Sequence, residues 1–115
     1  PSSHGNSGII SETGTRRILD KRYVDSEFED MGRLMTQMRA VPSEKKGFKI
    51  FNIIKGSMFE KLGLENGDLV QRINGTDLSS PDKAMELYMQ LKGSTNIQID
   101  VLRNGSIMNF DYQIQ

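Results

Sequence analysis

From Val24 onward the apolar residues Val24, Phe28, Met31, Met35 and Met38 recur at steps of four, three, four and three. That spacing puts them on one face of a helix, with Glu27, Asp30, Arg33 and Gln37 on the others. Asp25 or Ser26 can cap its start, Ser26 and Glu29 have capping-box spacing, and Arg39 lies near the negative C-terminal end. Gly32 inside it costs about 1 kcal/mol relative to alanine and is read as a place of close packing against a strand. Pro42 ends the helix. A second apolar stripe, Ala84, Leu87, Tyr88 and Leu91, predicts a helix over residues 81 to 92, with Pro81 in the first turn and Gly93 closing it.

Elsewhere the period shortens to two. Ile97, Ile99 and Val101 alternate with Gln98 and Asp100, and Asn104-Gly105 reverses the chain into a partner strand from Ile107 to Ile114. Phe48 to Ile54 alternates only in part, which predicts a strand with one buried face. Arg16 to Leu19 reads as a short strand or extended entry, its arginines discouraging wrong pairing at an edge.

The densest signal is GSMFEKLGLENGDLVQRINGTDL, residues 56 to 78. Ser57 can cap a short helix carrying Met58, Phe59 and Leu62, and Gly63 supplies the left-handed residue that ends it. Glu65-Asn66-Gly67-Asp68 turns the chain, Leu69, Val70 and Ile73 supply a strand, and Asn74-Gly75 reverses it. Asp68 and Asp77 read as turn residues.

This order of glycine, small residue, apolar pair, Gly-Leu, Gly-Asp, strand and Asn-Gly resembles the PDZ domain, above all its bacterial periplasmic form. Gly47-Phe48-Lys49-Ile50 looks like that family's ligand loop and strand, and Ser80-Pro81 with Ala84, Leu87 and Leu91 like its groove helix. The lead-in TRRILDKRYVDSEFEDMGRLMTQMRAVP, residues 15 to 42, is similar to the start of the PDZ domain of the type II secretion system protein C. The resemblance implies an α+β fold, a partly open antiparallel β-barrel or sandwich of five to six strands with two main helices. Residues 15–115 would form one domain, 15–42 its strand and N-terminal helix and 47–115 its PDZ core, after a disordered lead over residues 1–14.

A PDZ groove works because a strand unpaired on one side offers backbone N–H and C=O groups to an extended peptide, while a neighbouring helix supplies side-chain pockets. By resemblance the peptide-binding residues are Gly47, Phe48, Lys49, Ile50 and Phe51 on the loop and strand, and Ala84, Met85, Tyr88 and Met89 on the helix. Lys45 and Lys46 precede the loop, where they either add charge for a ligand C-terminus or are simply solvated. Plain core packing is the competing role for Phe48 and Ile50. Gly-Phe-Lys-Ile departs from the animal signature Gly-Leu-Gly-Phe, which weakens the case for a free C-terminus as ligand. Of the seven methionines, Met31, Met35 and Met38 follow the core period, whereas Met58, Met85, Met89 and Met108 are groove or rim candidates.

Composition narrows the function by exclusion. Fifteen basic and fifteen acidic residues leave no net charge, so no whole-molecule field draws the chain to nucleic acid. There is no cysteine, and the single histidine is His4 in the polar lead, which leaves the ordinary nucleophile and thiolate-metal arrangements without their parts. Glu27, Glu29 and Asp30 read as a solvated helix face, not a metal site. No catalytic residue, cofactor or metal is therefore expected. No apolar run approaches the roughly twenty residues that span a bilayer.

The resemblance implies a periplasmic interaction module of an inner-membrane-anchored protein in a Gram-negative bacterium. It would bind secreted substrate, the secretin or other secretion-machine components, and touch the membrane only through a segment outside this chain. A weak homodimer through exposed edges is compatible with it. The alternative is the regulatory PDZ domain of an HtrA-like or membrane-associated protease.

Overall fold

The computed structural model describes residues 9–44 and 46–115. The expectations placed on residues 1–8, His4 among them, on Lys45 and on the side chain of Met31 lie outside what is described.

In chain order the elements are β1 (Ile9–Thr13), β2 (Arg16–Leu19), α1 (Lys21–Glu29), α2 (Met31–Met35), β3 (Arg39–Pro42), β4 (Phe48–Phe51), α3 (Met58–Lys61), β5 (Leu69–Ile73), β6 (Thr76–Asp77), α4 (Pro81–Leu91), β7 (Asn96–Arg103) and β8 (Ser106–Ile114). The strands form one sheet in the order β1-β2-β8-β7-β5-β4-β3, with β6 attached to β5. Pairing is antiparallel except for β2 and β8, which run parallel from Arg16↔Asp111 to Leu19↔Ile114. The sheet is thus mixed, has more strands than the five to six expected, and does not close into a barrel. Residues 9 to 13, expected in the lead, form β1 against β2.

The predicted N-terminal helix is two helices. Asp30 breaks it: with φ −122° and ψ 89° it ends α1 and caps α2, its carboxylate accepting the Arg33 N–H at 3.0 Å. Asp20, not Asp25 or Ser26, caps α1 by accepting from the Arg22 N–H. Gly32 is exposed, and a methyl group there would meet only the Asp30 carboxylate, so it serves no close packing. Residues 39 to 42, expected as the helix end, are a strand.

The segment from Gly56 to Leu78 forms as its residues dictate. Ser57 caps α3, Gly63 has φ +89°, and Asn74 and Gly75 adopt positive φ in the tight turn between β5 and β6. The core centres on Val101, Tyr112, Leu87 and Phe110, all nearly inaccessible.

Polar contacts fasten the turn after α3 to the far strands. Asp68 is 1% exposed and takes both Nε and Nη2 of Arg103, at 2.8 and 2.7 Å. This hydrogen bond holds the Arg103 guanidinium above its ordinary pKa. The same Nη2 donates to the Gly63 carbonyl at 2.9 Å, and the Tyr112 hydroxyl donates to the Leu62 carbonyl at 2.6 Å.

Candidate functional site

β3 and β4 form a hairpin. Its closing turn brings the Ser43 N–H to the Gly47 carbonyl at 3.0 Å. Only glycine fits at 47, where φ is +112° and a Cβ would lie 2.4 Å from the Val70 carbonyl oxygen. The register pairs Arg39 with Phe51, Ala40 with Ile50, Val41 with Lys49 and Pro42 with Phe48. In an antiparallel ladder hydrogen-bonded pairs alternate with non-bonded ones. Counting from the bonded pair Ser43 and Gly47, Val41 and Arg39 bond to β4, while Ala40 and Pro42 direct their backbone polar groups away from it.

The same alternation turns Ile50 the other way. Its N–H donates to the Asp68 carbonyl at 2.9 Å and its carbonyl accepts from Gly67 at 2.7 Å. β4 therefore has a partner on each side, β5 and β3. This corrects the expectation that Phe48 to Phe51 present an unpaired edge. The edge belongs to β3, which pairs only with β4 among the described residues. Ala40 offers it one N–H and one C=O; Pro42 offers a C=O and has no N–H.

Behind this edge lies a cavity of about 390 Å³, lined almost wholly by apolar side chains. Phe48 and Ile50 form part of its inner wall, Pro81, Ala84, Met85, Tyr88 and Leu91 of α4 another, and Met35, Met38 and Ala40 a third. Most of the lining is core, but Met35 is 40% exposed and Met85 46%, and Ala40 is exposed too. With Pro81, also exposed, these residues mark where the cavity reaches solvent, between β3 and α4.

Both walls are anchored. Ser80 caps α4 by accepting the Lys83 N–H at 3.2 Å, and the Tyr88 hydroxyl donates to the Phe28 carbonyl of α1. Ahead of β3, Gln37 ties two helices and a loop together: its carbonyl accepts from the Ile54 N–H at 2.9 Å, its amide donates to Glu27 of α1 at 3.2 Å, and its side-chain oxygen accepts from the Met58 N–H of α3 at 3.4 Å. Glu27, expected on a solvated face, is buried and also takes Arg33 at 3.1 Å.

Of the expected peptide-binding residues, Phe48, Ile50, Ala84, Met85 and Tyr88 meet around one cavity. Ile50, 3% exposed, serves there as core. Gly47 is buried at the hairpin turn, Lys49 is exposed, Phe51 is half-buried, and Met89 is 60% exposed outside the lining. Lys46 pairs with Asp77 at 3.1 Å. Sequence reasoning passed over Ala40, Met35 and Gln37. The signal available was Pro42, since proline closing a short Val-containing run is typical of an edge strand. Arg17 also departs from expectation: β2 is interior, and Arg17 is buried with its guanidinium 5.9 Å from the Phe110 ring centre.

Residues 30–114 match the family model described as PDZ domain. The chain belongs to the PDZ domain family. PDZ domains are protein-interaction modules. Among curated proteins, this PDZ domain is similar to "Type II secretion system protein C 2" of Escherichia coli O78:H11 (strain H10407 / ETEC), 27% identical over 97 residues. That match covers 82% of this chain and 28% of the relative, so the PDZ domain spans little more than a quarter of that protein. Among solved structures it resembles the PDZ domain of EpsC from Vibrio cholerae, residues 204–305, with a TM-score of 0.55, 22% identity and coverage of 80% of this chain and 92% of that one. It also resembles the PDZ domain of the pullulanase C protein of the type II secretion system from Klebsiella pneumoniae, described in complex with fatty acid, with a TM-score of 0.54, 24% identity and coverage of 78% and 98%. No helix among the described residues is long and apolar enough to cross a membrane.

Proposed function

We propose that this chain is the periplasmic PDZ module of a type II secretion inner-membrane protein C, and that it binds an extended segment of a protein partner along the free edge of β3. Secreted substrate, secretin and other secretion-machine components are the partner classes in view. The bound segment exchanges backbone hydrogen bonds with Ala40 and sends a side chain between β3 and α4. One observation carries this reading: Ala40 is at once exposed, on the unpaired edge and part of the cavity wall.

A second reading gives the cavity an acyl chain instead. It is favoured by the almost wholly apolar lining and by the fatty acid in the Klebsiella neighbour.

The test is selection of peptides from a displayed random library, followed by measurement with Ala40→Pro. That change removes the edge N–H without touching the β3–β4 ladder, so affinity should fall about tenfold, the weight of one hydrogen bond, with little change in melting temperature. Unaltered binding by Ala40→Pro would overturn strand addition at β3. Competition by dodecanoate but by no peptide would favour the acyl reading. The protease alternative is separated by the gene: a catalytic domain encoded upstream of these residues would replace the secretion assignment.

A further inference from the structure

Side chains on β3 alternate between two faces. Ala40 lies on the inner face with Ile50, towards the cavity, while Arg39 and Val41 lie on the outer face with Phe51 and Lys49. Arg39 and Lys49 are exposed, and neither forms an ion pair among the described residues. The carboxylates near α4 do not cancel this charge: Asp82 and Glu86 stand off its cavity-lining stripe, and Glu86 is held by Lys83 at 3.1 Å. Glu44 lies in the hairpin turn, followed in sequence by Lys45 and Lys46, beyond Pro42 and so at the other end of β3 from Arg39. At its Arg39 end the edge is therefore cationic.

We propose that β3 selects an antiparallel segment carrying an apolar residue followed directly by an acidic one. The proposal rests on strand addition at β3 and deepens it. The segment runs opposite to β3, so its residue facing Ala40 precedes its residue facing Arg39. Ala40 exchanges both backbone bonds with its partner, whose side chain then enters the cavity mouth beside Met35 and Met85. Arg39 faces its partner in a non-hydrogen-bonded pair, where the strands come closer and cross-strand side chains touch. A carboxylate there meets the exposed Arg39 guanidinium, which has no ion pair among the described residues, with Lys49 adding a weaker attraction from the next strand.

The experiment uses a peptide selected on the full chain and its variants at one position. Replacing the acidic residue by glutamine should weaken binding about two- to fivefold at low salt, the range of one cross-strand ion pair, and less at high salt. Arg39→Glu should reverse the order, favouring a lysine at that position over the acid. Its site is exposed and makes no side-chain bond among the described residues, so folding is expected to be unchanged. Selected peptides that bind at β3 with no acid after the apolar residue, or an Arg39→Glu variant that treats acid and glutamine alike, would overturn the charge preference while leaving strand addition in place. If no peptide perturbs β3, both fall together.

Discussion

The two sides of this domain are built differently. Where the turn after α3 meets β7 and β8, polar contacts fix the geometry: Arg103 forks onto Asp68 and reaches the Gly63 carbonyl, Tyr112 reaches the Leu62 carbonyl, and Arg17 and Arg103 lie 5.9 and 5.5 Å from the Phe110 ring centre. Where β3 meets α4, the facing surface is Met35, Met38, Ala40 and Met85 around a cavity. Directional bonds specify one arrangement, whereas unbranched thioethers adapt to several. The first side is a fixed frame, and the second is free to accommodate a guest.

Asp68→Ala is expected to cost the most, about 3 kcal/mol, because it removes the buried carboxylate that takes two bonds from Arg103, a side chain only 17% exposed, and leaves that guanidinium the exposed Glu65 carboxylate at 3.3 Å and the Gly63 carbonyl. Thermal melting should show a fall of roughly ten degrees or more, while the fraction that stays folded binds peptide normally. Gly47→Ala comes next at about 2 kcal/mol, since positive φ and a clash with the Val70 backbone leave the hairpin no relaxed solution.

Alkali should act on the same fixed side and on its neighbour at α1. Burial and the adjacent Glu27 push the Tyr23 phenol up to about 12, and burial raises Tyr112 further still. A phenol whose pKa is raised by folding stabilises fully below its ordinary value of 10.0 and loses that contribution as pH climbs through the folded value. Denaturant midpoints should therefore hold at about pH 9 and decline above about pH 10.5, less so in Tyr112→Phe. That variant itself should cost about 1 kcal/mol at neutral pH. Met85→Asp sits at the small end for stability, within about 0.5 kcal/mol, yet should lose peptide binding; the opposite pattern would make α4 a structural wall and erase the contrast.

Local chemistry decided what could be read in advance. From Ser57 to Gly75 each turn is set by its own residue, a capping serine or an Asn or Gly that takes positive φ, so pattern and structure coincide. The α4 wall was legible for the same reason, a regular stripe after Ser80-Pro81. β3 was not, because Arg-Ala-Val-Pro has no alternation of its own and becomes a strand only by pairing with Phe48–Phe51. Missing it moved the expected edge one strand inward, onto β4. The helix break was hidden because Asp30 keeps the apolar period while its carboxylate caps a new helix. Arg17 is buried beside Phe110, far off in sequence, and Glu27 takes Arg33 and Gln37 from beyond the helix break, so neither burial follows from a helical or strand period.

The position of the open edge is best tested by amide hydrogen exchange at Ala40, measured on the chain alone and with a selected peptide. Rapid exchange alone and strong protection in the complex, with Ile50 slow in both, is the expected result. An Ala40 amide already protected in the free chain, or one unmoved by a bound peptide, would contradict the account.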